Sequence, residues 1–160
     1  QPLCFHLSHE DEKHQPLSKV MGRLHLHLHG RIKDSDLKSL AATYQSRLQS
    51  TGLTVHVHKD ELTKYLSKLE ELNGQLLLLD ERGSTYTSVD FAAKIQAWTL
   101  DSTDTHFAIG PAEGWQNLGN HIPRISLSEM TFPHEFAAVL FLEQLYRANQ
   151  INKGTSYHKA

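Results

Sequence analysis

The run Leu76-Leu-Leu-Leu79 most narrows the folds open to this chain. It sits between Asn73-Gly74 and the turn-like Asp80-Glu-Arg-Gly83, and it reads as a strand from Gln75 to Leu79. A strand with no polar face must be covered on both sides, which is the condition inside a parallel sheet flanked by helices. The rest of the chain agrees. Arg23–His29 alternates strictly, with Leu24, Leu26 and Leu28 on one face and His25, His27 and His29 on the other. Leu53–His58 alternates in the same way, and Thr105–Ile109 and Arg124–Leu127 are short strands. Helical spacing fills the gaps. One helix opens at Asp34 or Ser35, carries Leu37, Leu40, Ala41, Tyr44 and Leu48 on one stripe, and runs to about Ser50 before Gly52 stops it. A second starts at Asp60, with Leu62, Tyr65, Leu66 and Leu69 in register. A third runs from Ser88 or Asp90 through Leu100, and a fourth from Pro133 to about Asn152. Strands alternating with helices at this spacing predict an α/β fold with a mainly parallel sheet.

The totals bound the function. A chain of 160 residues, 39% hydrophobic and 21% charged, is large enough for one well-packed domain, expected from residue 20 to 160. Sixteen basic against eighteen acidic residues give a net charge of −2, which excludes a strong overall basic field. A nucleic-acid partner must then be gripped locally or recognised as a shaped particle. The single cysteine, Cys4, cannot form an internal disulfide, so a reducing compartment is expected. The longest apolar run, Phe136–Leu142, is far short of the roughly 20 residues of a membrane span. Residues 1–19 mix Pro with charges and show no periodicity, and are expected to be a flexible leader or the remnant of a presequence. A cytoplasmic location follows, or an organelle matrix or stroma if the leader is a transit remnant.

Five motifs stand out. His25, His27 and His29 share a strand face, as do His56 and His58. Imidazole suits Zn, Cu or Ni, but side chains along one strand face stand about 6–7 Å apart, so one tetrahedral ion would take at most two of them. Structural histidines are the expectation, with no metal. Gly110-Pro-Ala-Glu-Gly114 follows a strand, where glycines let a ligand approach the backbone; it is not a dinucleotide fingerprint. Ser126–Pro133 sets hydroxyls beside apolar residues, and its backbone could read an adenine edge while Leu127, Met130 and Phe132 cover the ring face. The last helix is apolar nearly all round from Phe136 to Leu142, which predicts burial shared with a second subunit. Beyond Gly154, the tail carries Tyr157, His158 and Lys159, a phenol and an imidazole able to stack on a base and a cation able to meet phosphate.

The blocks LLLLDERG (76–83), FAIGPAEG (107–114), LSEMTFPH (127–134), EQLYRA (143–148) and the closing G-x-x-YHK (154–159) resemble the ribosomal RNA large-subunit methyltransferase H family. That family is of the SPOUT class of knotted methyltransferases, and the resemblance covers residues 23–159. It implies an α/β domain with a C-terminal trefoil knot, a topology composition alone does not predict. It implies S-adenosylmethionine held by Leu79, Gly110, Leu127, Ser128, Glu129, Met130, Thr131 and Phe132. It implies a homodimer that methylates N3 of a pseudouridine in large-subunit rRNA, with the assembled ribosome as target. The expected catalytic residues are His158, as a base that titrates near neutral pH, Tyr157, which stacks on or orients the base, and Arg147, which holds phosphate or the developing anion. Glu143 is the alternative acid–base residue, and Lys159 the alternative cation. Pro111 stands where the family has a second glycine, and Ala138 where it has a basic residue. These two positions raise the alternative of a catalytically silent relative that binds ribosome or RNA; a His-rich metal-binding form of the scaffold is another.

Overall fold

Nine principal elements alternate along the chain: β1 (Leu24–His29), α1 (Ser35–Arg47), β2 (Thr54–His58), α2 (Leu62–Glu70), β3 (Gln75–Thr85), α3 (Ser88–Leu100), β4 (Thr105–Ala108), β5 (Arg124–Ser126) and α4 (His134–Lys153). They come from a computed structural model that describes residues 21–159; the leader expected at residues 1–19 lies outside the described residues. The strands form one parallel sheet in the order β2-β1-β4-β3-β5.

Register sorts the side chains onto two faces. One face carries Leu24, Leu26, Leu28, Leu77 and Phe107 and packs under α1, α3 and α4 through Ala41, Phe91, Ile95, Phe141, Leu142 and Leu145. On the other face Leu78 and Ala108 meet Tyr65, Leu66 and Leu69 of α2, together with Trp115 and Ile122. The Tyr65 hydroxyl donates to the Ile109 carbonyl at 2.9 Å, and burial pushes this phenol's pKa upward. The half of this second face nearer β2 is built of histidines. Pairing sets His25 beside His106, His27 beside His56, and His29 beside His58. His27 and His106 are buried. Desolvation, then the neighbouring imidazoles, lowers the His27 pKa from 6.5 to about 3. Both faces of β1 are therefore covered, and its Leu/His alternation separates two interiors.

Three expectations need correction. Leu40 is 44% exposed, off the buried stripe that Ala41 and Leu48 define. Phe136, the first residue of the apolar run in α4, is 49% exposed, whereas Ala138, Val139, Phe141 and Leu142 are buried. Asp80–Gly83 is turn-like, with Arg82 N–H bonded to the Asp80 carboxylate, but it does not end β3. The strand continues to Thr85 and shifts register, so that Ile125 pairs with Leu79 on one side of the irregularity and Ser84 on the other. β3 thus bends around β5.

The helix starts obey local chemistry. Asp34 caps α1 by accepting from the backbone N–H groups of Asp36 and Leu37, both at 3.0 Å. Thr87, rather than Ser88 or Asp90, caps α3, its hydroxyl accepting from Asp90 N–H at 3.0 Å. Replacing Asp34 by Ala removes both acceptors and should cost about 1 kcal/mol in urea denaturation at neutral pH, whereas Asp34→Ser should restore most of it. Glu135 at the start of α4 accepts from the backbone N–H groups of Lys33 and Asp34, which fastens α4 to the loop before α1. Among the described residues no helix is long and apolar enough to cross a membrane.

Candidate active site

The carboxyl ends of β4 and β5 and the middle of β3 lie side by side. In an open parallel sheet this edge is where connecting loops leave room for a ligand. Three loops wall a cleft of about 330 Å³: Leu79–Arg82 from β3, Ile109–Asn117 after β4, and the residues from Leu127 to Phe132 after β5. His134 and Ala137 of α4 border it. An adjoining, more apolar cavity of about 230 Å³ lies between Tyr86, Phe91, Leu140 and Phe141. Leu79, Leu127 and Phe132 line both, so the two cavities are lobes that meet at an apolar waist.

Each loop is held by its own chemistry. Trp115 is buried, and its indole N–H donates to the Leu79 carbonyl at 2.9 Å, tying the loop after β4 to β3. A Cβ on Gly110 would lie 3.1–3.3 Å from that indole ring, so the glycine is required by Trp115. After β5, two serines fold the chain on itself. The Ser126 hydroxyl donates to the Ser128 carbonyl at 2.7 Å and accepts from Ser128 N–H at 3.1 Å, while the Ser128 hydroxyl accepts from Met130 N–H at 3.1 Å. These hydroxyls shape the loop. The loop from β3 is fixed by Asp80, which accepts from Arg82 N–H at 2.9 Å and from the guanidinium groups of Arg82 and Arg124.

A second cluster occupies the end of α4 and the tail. Arg147 donates to Glu143 through Nε at 3.0 Å and Nη2 at 2.5 Å, and through Nη1 to His158 Nδ1 at 3.1 Å. The Tyr157 hydroxyl donates to Glu143 at 3.1 Å, and its ring lies under the Arg147 guanidinium at 5.0 Å and edge-on to Tyr146 at 4.8 Å. Burial, then hydrogen bonding around its oxygen, pushes the Tyr157 pKa upward, so it stays a neutral phenol. The tail thus folds back on α4 between an ion pair and aromatic rings.

Comparison with known proteins can be read on this geometry. A family model described as "Predicted SPOUT methyltransferase" matches residues 23–158. The chain belongs to the SPOUT methyltransferase family. The "Ribosomal RNA large subunit methyltransferase H" of Coprothermobacter proteolyticus is 36% identical over 140 residues, 86% of this chain and 99% of that one. The protein of the same name from Koribacter versatilis is 36% identical over 139 residues, 81% and 92% of the two chains, and that of Variovorax paradoxus 38% identical over 106 residues, 61% and 68%.

Within this SPOUT chain the expected cofactor residues converge. Leu79, Gly110, Leu127, Ser128, Met130, Thr131 and Phe132 all line the cleft. Glu129 does not: it is exposed and outside the cleft wall. Arg147, Tyr157 and His158 come together with Glu143, but none of the four borders either lobe. Ala138 is buried in the core, where a charged side chain would find no solvent. Trp115, Tyr86 and Gln144 were not among the expected residues. A lone Trp directly after Gly114 was the available signal for the first; Tyr86 and Gln144 meet the site only through tertiary packing.

Asp80 supplies a pH test. Burial raises its pKa, but hydrogen bonds from Arg82 and Arg124 outweigh that and hold the carboxyl below its ordinary value of 3.8. A depressed folded pKa means stability that is present above the unfolded carboxylate's range and lost as pH falls through the folded value. Asp80→Asn should therefore lower stability by about 2 kcal/mol at neutral pH. In urea denaturation the gap to wild type should close once acid protonates the wild-type carboxyl; a gap constant with pH contradicts this.

Proposed function

We propose that this chain is a methyltransferase that uses S-adenosylmethionine to methylate N3 of a pseudouridine in large-subunit ribosomal RNA, acting as a homodimer on the assembled ribosome. The observation that carries the reading is the two-lobed cleft at the carboxyl edge of the sheet, in a chain that matches a named rRNA methyltransferase over 99% of that protein's length.

The cleft suits the cofactor chemically. A bent nucleoside needs an apolar slot for its ring and a polar, partly acidic edge for its cationic end. Leu79, Leu127 and Phe132 offer the first; Glu81 and Glu113 offer the second. When bound, S-adenosylmethionine supplies an electrophilic methyl group on a sulfonium. The protein's part is placement, because fixing two reactants in line is worth effective molarities of about 10⁵–10⁸ M. Gly110, through Trp115, and the Ser126–Ser128 turns keep the loops in one shape for that purpose.

The N3–H of the base must be lost, and the resulting imide anion stabilised. Arg147 is only a donor, so His158 Nδ1 accepts and the neutral ring carries its proton on Nε2. In this arrangement His158 is a donor toward the developing imide oxygen; its Nδ1 becomes a base only when Arg147 turns to a phosphate. Glu143 is engaged by Arg147 and Tyr157 and positions both. Because this cluster borders neither lobe of its own protomer, we infer that a second copy presents it. The exposed Phe136 and Val89, beside half-buried Leu140, are the apolar surface such a contact would cover.

Calorimetry with S-adenosylmethionine, followed by labelled-methyl transfer to ribosomes and to free rRNA, tests the proposal. Binding at micromolar cofactor and transfer to ribosomes are expected. No binding at high micromolar cofactor would leave the reading of a silent, ribosome-binding relative.

A further inference from the structure

The amino ends of β1 and β4 lie at the edge of the sheet away from the cleft, and polar side chains gather there. His25, Asp104 and His106 each turn one ligand-type atom inward, and these three atoms all lie within 4.8 Å of one another. We propose that they form a binding site for a borderline divalent transition-metal ion, with Zn²⁺ as the type.

The geometry is close to what the ion needs. His25 Nε2 and an Asp104 carboxylate oxygen are 3.0 Å apart and share one proton. Two ligands each about 2.0–2.1 Å from a tetrahedral zinc stand roughly 3.3 Å apart, so exchanging that proton for a metal requires only a small separation of the pair. Two imidazoles and one carboxylate, with a fourth position left to water, make a donor set such ions accept and Mg²⁺ or Ca²⁺ do not favour. The Asp104 side chain is 39% exposed, which gives the ion an entry path.

The next layer is already in place. Metal ligation through Nε2 puts the remaining proton of His25 on Nδ1, and that atom faces His56 Nε2 at 3.0 Å, an acceptor that would fix ring and tautomer. Asp104 has its other oxygen occupied by the Arg23 backbone N–H at 3.0 Å. His106 lies against His25 with ring centroids 4.3 Å apart; its Nδ1 faces His27 Nε2 at 2.9 Å and its Nε2 donates to the Asn73 carbonyl at 3.0 Å, so the ion takes one of these nitrogens by displacing its present partner while the other bond holds the ring. The site therefore differs from a ligand set along one strand. It takes one residue from each of two neighbouring strands and one from the loop before β4, which removes the 6–7 Å spacing that argued against convergence.

The full chain, stripped with a chelator, is titrated with Zn²⁺ against a chromophoric chelator. One ion per chain at micromolar affinity or tighter is expected, weakened at least tenfold by Asp104→Asn and by His106→Gln. Because His106 is buried, its variant could lose the fold; Asp104→Asn, at a part-exposed position, then carries the comparison. On the wild-type chain, imidazole ¹⁵N resonances give a second readout: Zn²⁺ should move those of His25 and His106 and their hydrogen-bonded neighbours. Failure to bind Zn²⁺, unchanged affinity in Asp104→Asn, or shifts confined to other histidines would each overturn the proposal.

Discussion

A chain ending at Ser156 is expected to bind S-adenosylmethionine within about twofold of the intact protein and to transfer methyl groups about 10²–10⁴-fold more slowly, the range ascribed to a positioned proton-handling group. The separation of the two clusters predicts both halves of this result. No residue beyond Ala137 of α4 borders the 330 Å³ lobe, whereas Tyr157 and His158 are bound to Glu143 and Arg147 at the far end of the helix. Mixing sharpens the test. A second variant, Gly110→Trp, keeps its tail but has a cleft obstructed at the residue that packs on Trp115. Each variant alone should transfer far more slowly than wild type. If one copy's tail serves the other copy's cleft, co-refolded mixtures should regain a substantial fraction of wild-type activity, since each mixed pair contains one intact cleft facing one intact tail. Inactive mixtures of well-folded chains would mean that each protomer uses its own tail.

The cleft was more legible in the sequence than the two interiors that support it. The rule that ligands collect at the carboxyl edge of a parallel sheet singled out the Gly110 loop, the mixed hydroxyl and apolar pattern singled out Ser126–Pro133, and Leu79 was implied by the family resemblance alone; the expected residues line one cleft except Glu129. For the walls after β4 and β5 chain order suffices, because each directly follows its own strand. The histidines were harder to read. Leu/His alternation in β1 looks the same whether the polar face meets water or other imidazoles, and the answer depends on β2 and β4 lying on either side. His106 was the missing partner, and its own segment gave no hint of it. The end of β3 was placed too early, at Leu79, for a related reason. Asp80–Gly83 is turn-like, with Arg82 N–H bonded back to Asp80, but Leu79 before it and Ser84 after it both pair with Ile125, some forty residues away, so the strand resumes beyond it. The tail's return to α4 was likewise invisible: helical spacing places Glu143 beneath Arg147, but nothing local says that Tyr157 folds onto both.

Gly83→Val is expected to lower stability by at least about 3 kcal/mol and to weaken S-adenosylmethionine binding more than tenfold, although residue 83 does not border the cleft. A Cβ at this position would sit 2.7–2.8 Å from the Arg124 carbonyl carbon and the Ile125 backbone. The obstacle is main chain, so no rotamer change relieves it; either β5 moves outward or the Glu81–Ser84 segment does. β5 is held by β3 on both sides of Ile125, and Ser126 also bonds the Glu81 carbonyl at 3.3 Å. Displacing β5 therefore carries the Leu127–Phe132 loop with it and opens the waist between the two lobes. Gly83→Ala should show the same pattern with a smaller loss, since alanine brings the clash but not the extra methyl groups. Urea denaturation and cofactor calorimetry on both variants check this. A glycine merely supplying turn flexibility would give a stability loss of about 1 kcal/mol and unchanged cofactor affinity, because the loop after β5 would not have moved.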